Sequence, residues 1–293
     1  ERLHPTVWTG QTAVDFIQNY KLENPLFLKV SFARPHSPYD PPQRYLDMYQ
    51  KANIPGPVIG DWCEEFKDRP NEPSAAFGDF GTDHAINSLR HNYANITFID
   101  DQVGRIIEAL QQRGMYENAV ICFTADHGDM LGDHHHWRKT YAYQGSANIP
   151  FLFKWPAAVK AKLKCGSSLP HPVELRDFLP TFLDAAGEAI PADMDGDSML
   201  KLARNPKSDW REFIDLEHAT CYEQANYWAA LTDGKQKYIW FFRTGKEQLF
   251  DLENDPGELK NVAEKESEML KKWRQRMVEH LSARGEKFVK DGT

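Results

Sequence analysis

Ala119–Lys139, AVICFTADHGDMLGDHHHWRK, is the stretch on which the fold turns. Ala119, Val120, Ile121, Cys122 and Phe123 form an unbroken apolar run too short for an ordinary helix. Such a run reads as a strand buried on both faces, the kind found in parallel sheets. It breaks into Asp126-His127-Gly128-Asp129, a turn dense in possible metal ligands. In open α/β sheets ligands sit outside the carboxyl ends of strands, and Asp126 and His127 fall there. Three consecutive histidines follow (His134, His135, His136), then Arg138 and Lys139. An acidic ligand beside a cluster of potential cations suits a metal ion together with an anion.

Upstream, Leu89, Tyr93, Ile96, Ile99, Val103, Ile106 and Leu110 form a helical seam that ends at Gly114. Asp100 and Asp101 lie within it and read as a solvated or helix-supporting pair. Residues 39–87 are rich in proline and glycine with little periodicity, a long irregular excursion of the kind that often selects a substrate. Before it, Leu26–Phe32 reads as a strand that ends in Ala33-Arg34-Pro35-His36-Ser37-Pro38. This second polar constellation also sits at a strand's carboxyl end, so the two can face one crevice. A proline-rich loop whose His36 merely bonds backbone is the alternative these residues alone leave open. Ala13, Phe16, Ile17 and Tyr20 recur at helical spacing, with Thr9 or Thr12 as cap and Asn24-Pro25 as the break.

Downstream, Ile149–Pro156 reads as another strand, bounded by prolines. Asp177–Gly187 reads as a short helix with Pro180 in its first turn and Gly187 ending it. After Arg204 the texture changes. Phe213–Glu217, Tyr227–Thr232, Lys237–Phe242 and Gln248–Leu252 are short runs with turn residues between them, which predicts a small antiparallel sheet. Glu264–Arg284 is a charged amphipathic helix with Met269, Trp273, Met277, Val278 and Leu281 on one side. The expected architecture is α/β: a mostly parallel central sheet flanked by helices over residues 1–204, and a smaller C-terminal antiparallel sheet plus helix over 205–293.

Composition narrows the classes of function. The 293 residues are 41% hydrophobic and 27% charged, values of a globular protein. A net charge of −8 without a basic stripe argues against a nucleic-acid partner. No run of about 18 apolar residues exists, so no membrane span is expected. The four cysteines show no CxxC and no metal-ligand spacing, and Cys122 is expected to pack in its strand.

TADHGDMLGDHHHWRK resembles a segment of the sulfatase family, the formylglycine-dependent sulfatases of the alkaline-phosphatase superfamily. That segment reads DHG, a few residues, LG-[DE]-H, then a lysine. FLKVSFARPHSPYDPP, NYANITFIDDQVGRIIEAL, Asp177–Gly187, the Asp195-Gly196-Asp197-Ser198 turn and EQLFDLENDPGELKNVA resemble further family segments. The chain departs from the family at Tyr143-Gln144 and Asn148-Ile149-Pro150, where Tyr-Glu and Arg-Val-Pro are common. The resemblance implies roles. Asp126 and His127 would be the second pair of ligands to a divalent metal. Asp126 suits a hard cation such as Ca²⁺ or Mg²⁺, and His127 suits one less well. Lys139 would hold sulfate oxygens as a mobile point charge. His36 would bind the ester and protonate the leaving alcohol. His134 matches the family histidine and would join them at the substrate, whereas His135 and His136 read as a solvated tract.

The family's nucleophile is a formylglycine made within C/S-x-P/A-x-R, preceded by paired aspartates. The cysteines here sit in WCEEF, ICFTA, KCGSS and TCYEQ, and none matches. The expectation is that formylglycine, half the metal shell and the first strands lie outside this chain, on an N-terminal segment of the same protein. The 293 residues alone would then bind Ca²⁺ weakly and turn over no sulfate ester. The implied activity is cleavage of a sulfate ester of a sugar, glycan or other small molecule, in the periplasm or outside the cell. Two alternatives stay open: a phosphodiesterase or phosphonate monoester hydrolase of the same superfamily, and a non-catalytic binding protein that keeps the fold.

Overall fold

The structure is a computed structural model that describes residues 1–21, 23–68, 76–222, 224–265, 267–285 and 287–289. Its helices in chain order are α1 (Pro5–Asn19), α2 (Gln43–Tyr49), α3 (Thr82–Gln112), α4 (Gln144–Ala147), α5 (Phe178–Ala186), α6 (Leu200–Arg204) and α7 (Glu268–Ser282). The strands are β1 (Ile121–Thr124), β2 (Phe151–Lys154), β3 (Ile214–His218), β4 (Trp228–Thr232), β5 (Gln236–Phe241) and β6 (Glu247–Asp251). The fold is mixed α/β. β1 pairs with β2 in a two-stranded sheet, and β3-β4-β5-β6 form a four-stranded antiparallel one. A wider parallel central sheet is not formed by the described residues.

Two compact units divide the chain: Glu1–Pro57 with Phe80–Cys122 and Phe153–Val159, and Val58–Asp79 with Phe123–Leu152 and Lys160–Thr293. In the first, α1 starts four residues before the predicted Thr9. Pro5 opens it, and His4, not a threonine, caps it: the ring Nδ1 accepts from the Thr6 N–H at 3.1 Å. Val14 and Ile17 of α1 pack on Ala109 of α3, and Tyr45 of α2 packs on Ala94 and Phe98. The Tyr45 hydroxyl donates to Asp101 at 2.6 Å, so this aspartate braces two helices. α3 buries Ser88, Asn92, Asn95 and Gln102 as well as apolar residues, while Ile96 of the predicted seam is 48% exposed. The helix closes at Gly114, whose φ of 67° lets the Met115 N–H return to Leu110.

Two strand expectations change. Leu26–Phe32 runs extended without joining a sheet, and its Phe27 is 72% exposed. β1 is half-buried rather than covered on both faces, with Phe123 exposed. A strand is a property of pairing, and the described residues provide these runs with few neighbours to pair with.

The second unit follows its period-2 pattern closely. Trp228, Ala230, Ile239, Phe250 and Leu252 face the segment Met130–Tyr143, and Ala229, Leu231, Tyr238 and Leu249 face α7. All five residues of β4 are therefore buried, because both faces of the sheet are covered. α7 is capped by Ser267, whose hydroxyl accepts from the Leu270 N–H. It buries Leu270, Trp273, Met277 and Leu281; Met269, predicted on that side, is exposed. α5 spans Phe178–Ala186 and ends at Gly187, as its sequence predicts. Asp177, fully buried at its start, is held by both guanidinium nitrogens of Arg211. The four cysteines are free. Among the described residues no helix is long and apolar enough to cross a membrane.

Candidate functional site

Asp126 and His127 follow β1 directly. The Asp126 carboxylate is open to solvent, and one oxygen accepts from the His127 N–H at 3.1 Å. His127 Nδ1 lies 2.7 Å from the Gly128 carbonyl. A carbonyl can only accept, so Nδ1 carries the hydrogen and Nε2 carries the lone pair of the neutral ring. That Nε2 stands 3.9 Å from the second Asp126 oxygen. A carbonyl that accepts from one ring N–H and so presents the lone pair of the other nitrogen outward is how metal-binding histidines are commonly oriented. The pair therefore fits one side of a divalent-ion site. It is only one side: among the described residues no three or more His, Cys, Asp or Glu gather as a metal site.

Gly128 begins a tight neck. Its N–H donates to the Ser146 carbonyl at 2.8 Å, and a Cβ on it would sit 2.1 Å from the Gly145 oxygen, so no side chain fits there. Beyond the neck the backbone folds back on itself. Asp129 Oδ1 accepts from the N–H groups of Leu131 and Arg138, and Met130 donates to the Arg138 carbonyl at 2.7 Å. Five side-chain-bearing residues here adopt positive φ: Leu131 (49°), His134 (54°), His135 (61°), Arg138 (68°) and Thr140 (86°). Each costs roughly 1–2 kcal/mol relative to the right-handed region, and such clusters gather where a surrounding structure holds a site in place. Lys139 lies between two of them, half-buried.

The histidine tract is not solvated. His134, His135 and His136 are 2%, 7% and 2% exposed. His134 Nδ1 accepts from the Gly60 N–H at 3.1 Å, and its ring lies 4.7 Å from the Trp62 ring. His136 packs edge-on against Tyr141 at 4.4 Å, with Phe66 equally near. Burial lowers the imidazolium of His134 to about 4 and that of His136 to about 3. Both rings are neutral near pH 7, so neither His134 nor His136 adds a cation to those of Arg138 and Lys139. Burial also pushes the neighbouring Asp133 carboxyl up to about 6, although the Val58 N–H donates to it. His134 thus ties residues 58–60 to the loop.

His36 belongs to the first unit. It is exposed on a loop flanked by cis Arg34–Pro35 and Ser37–Pro38 peptides, and its Nδ1 lies 2.8 Å from the Ser37 carbonyl. Its tautomer matches that of His127, with the lone pair on Nε2. Arg34 closes the loop by a two-pronged bond to Asp40, which holds that carboxyl below its ordinary range.

One group near the site was not legible in the sequence. Lys237, inside β5, and Glu258, in the segment that follows β6, form an ion pair in which each side chain is 1% exposed. The available signal was register: Lys237 shares a face with Ile239 and Phe241, where an unpaired charge could not stay.

Comparison with known proteins follows the same lines. A family model described as Sulfatase matches residues 9–188, and one described as N-sulphoglucosamine sulphohydrolase, C-terminal, matches residues 132–286. An arylsulfatase of Clostridium perfringens is 38% identical over 293 residues, covering 99% of this chain and 60% of that protein. A choline-sulfatase of Rhizobium meliloti is 32% identical, covering 86% of this chain and 51% of that protein. A structure solved in complex with its substrate D-glucosamine-2-N,6-O-disulfate superposes with a TM-score of 0.81 at 20% identity, covering 98% of this chain and 72% of that one, which is likeness of fold. The chain spans between half and two thirds of the length of these two curated relatives.

Proposed function

Because this chain belongs to the sulfatase family, we propose that it supplies the metal-binding and sulfate-binding side of a sulfuric ester hydrolase. The observation that carries the reading is the Asp126–His127 pair, oriented at the end of β1 on the same segment as Lys139. A sulfate ester needs a positive site for its oxygens and a proton for its departing alcohol. Lys139 is the point charge for the oxygens. His36, in its doubly protonated form, donates the Nε2–H to the ester oxygen and delivers that proton to the departing alcohol, returning to the neutral ring whose Nδ1–H is held by the Ser37 carbonyl. Asp126 and His127 hold a hard divalent ion, Ca²⁺ or Mg²⁺, which when bound neutralises charge on the sulfate group. His134 acts on the substrate through the loop it anchors. Formylglycine is expected outside this chain. A sulfated sugar is the substrate class we favour, supported by the N-sulphoglucosamine description of the model that matches residues 132–286.

The test uses a full-length sulfatase carrying this chain. It should hydrolyse an aryl sulfate well above an aryl phosphonate, and Lys139→Ala and His36→Ala should each lower turnover by about two orders of magnitude or more. Near-normal rates in either variant would remove that residue from the site. Calorimetric titration gives a separate readout: Asp126→Ala should weaken Ca²⁺ binding. For the 293 residues alone, two ligands should give only weak binding, since Ca²⁺ takes about six to eight oxygens.

A further inference from the structure

Lys139 is held between residues whose backbone is disfavoured for any side chain, Arg138 at φ 68° and Thr140 at φ 86°. Something must keep that backbone in place. On its N-terminal side the loop does so itself, through Asp129 and Met130 on Arg138. On its C-terminal side the partners come from the four-stranded sheet, which contributes none of the residues assigned to the chemistry. The Asn226 side-chain amide, just before β4, donates to both the carbonyl and the hydroxyl of Thr140, at 3.3 and 3.0 Å. The indole of Trp228, the first residue of β4, donates to the same carbonyl at 3.0 Å. Two residues on from Thr140, the Lys237 ammonium donates to the Ala142 carbonyl at 2.7 Å, and also to Gln144 Oε1 at 2.8 Å and Glu258 Oε1 at 2.8 Å. Those bonds use all three of its hydrogens. The other Glu258 oxygen accepts from the Gln144 N–H at 2.7 Å. Tyr143 adds a bond from its hydroxyl to Gln248 of β6.

A buried, fully hydrogen-bonded ion pair contributes little net stability compared with apolar residues of the same volume, so its use is better sought in what it fixes. This one fixes Ala142 and Gln144, on the strand-facing side of the loop that presents Lys139. We propose that the loop-facing side of the C-terminal sheet, through Asn226, Trp228 and the Lys237–Glu258 pair, is the positioning device for Lys139. The inference rests on the reading of Lys139 as the sulfate-binding cation. None of these residues touches the substrate; they act by setting where the Lys139 ammonium stands. A displacement of about 1 Å in a catalytic group can lower rate by two orders of magnitude.

A double-mutant cycle in the full-length enzyme tests this. Asn226→Ala should lower kcat/KM for an aryl sulfate by about ten-fold or more, and in a Lys139→Ala background it should cost nothing further. Amide hydrogen exchange over Arg138–Ala142 should quicken in Asn226→Ala while α7 keeps its protection. Glu258→Gln, scored only if its thermal transition stays cooperative, should give the same pattern. Losses that multiply in the double variant, or unchanged exchange over Arg138–Ala142, would show a merely structural role and overturn the proposal. An inactive Lys139→Ala beside a fully active Asn226→Ala would overturn it while leaving the Lys139 reading intact. A fully active Lys139→Ala would remove both.

Discussion

The four-stranded sheet and the β1–β2 pair are built from runs of similar composition, yet they end in opposite states. In β4 and β5 each face is covered, by the histidine loop on one side and α7 on the other. In the pair, Phe123 and Leu152 stand 38% and 66% exposed, and Phe27 in the extended run before His36 is 72% exposed. The contrast teaches where this chain carries its own stability. The sheet that holds the loop is closed by residues of the chain itself. The strand that carries Asp126 offers apolar surface that the described residues leave open.

The largest effect should come from opening the closed side. Trp273→Ala removes the α7 side chain that packs on Phe213 and bonds Gln236, and should destabilise the fold by about 3–5 kcal/mol in urea unfolding. A loss below about 1 kcal/mol would mean that α7 is not what closes the sheet. Acid should act next. His134 and His136 have depressed values, about 4 and 3, so the stability they lend is full above pH 6.5 and is lost as the pH falls towards them. Asp133, raised to about 6, works the other way and lends stability below its ordinary 3.8 that is lost as the pH rises through 6. Between pH 6 and 4 the two histidines outweigh the one carboxyl by about one proton. Stability should therefore fall by about 2–3 kcal/mol across that window, and His136→Phe should flatten the slope. At the other extreme, Leu152→Ala should change the stability of this chain by less than about 0.5 kcal/mol. A loss of 2 kcal/mol there would erase the contrast between the sheets.

Much of this was legible because it depends on short-range pattern. The alternating runs placed β3–β6 to within a residue or so, and Pro180 and Gly187 bracketed α5. The apolar run placed Asp126 and His127 at the end of a strand, and β1 does lead directly into them. The misses share one cause, which is that they depend on residues distant in sequence. His135 and His136 read as a solvated tract, but both are buried, and Phe66, Tyr141 and Tyr143 enclose His136. His4 displaced the threonine caps because its ring reaches the Thr6 N–H. Leu26–Phe32 has the composition of a strand, but composition cannot supply a neighbour. Lys237 was read only as the first residue of a strand run, and its partner depends on register, which places it opposite Phe250 with Glu258 within reach.

The neck at Gly128 and Ser146 has a consequence for how the site could change over generations. It fixes where the loop leaves and returns, and Asp126 and His127 lie before it. The Asp126–His127 pair and Lys139 thus form separable modules, one tied to the end of a strand and the other to a cassette clipped at its base. Substitutions that reshape the cassette, and with it the reach of Lys139, can accumulate while the Asp126–His127 pair keeps its geometry. A change at Gly128 has no such freedom, since any side chain there pries the clip open and disturbs both modules at once.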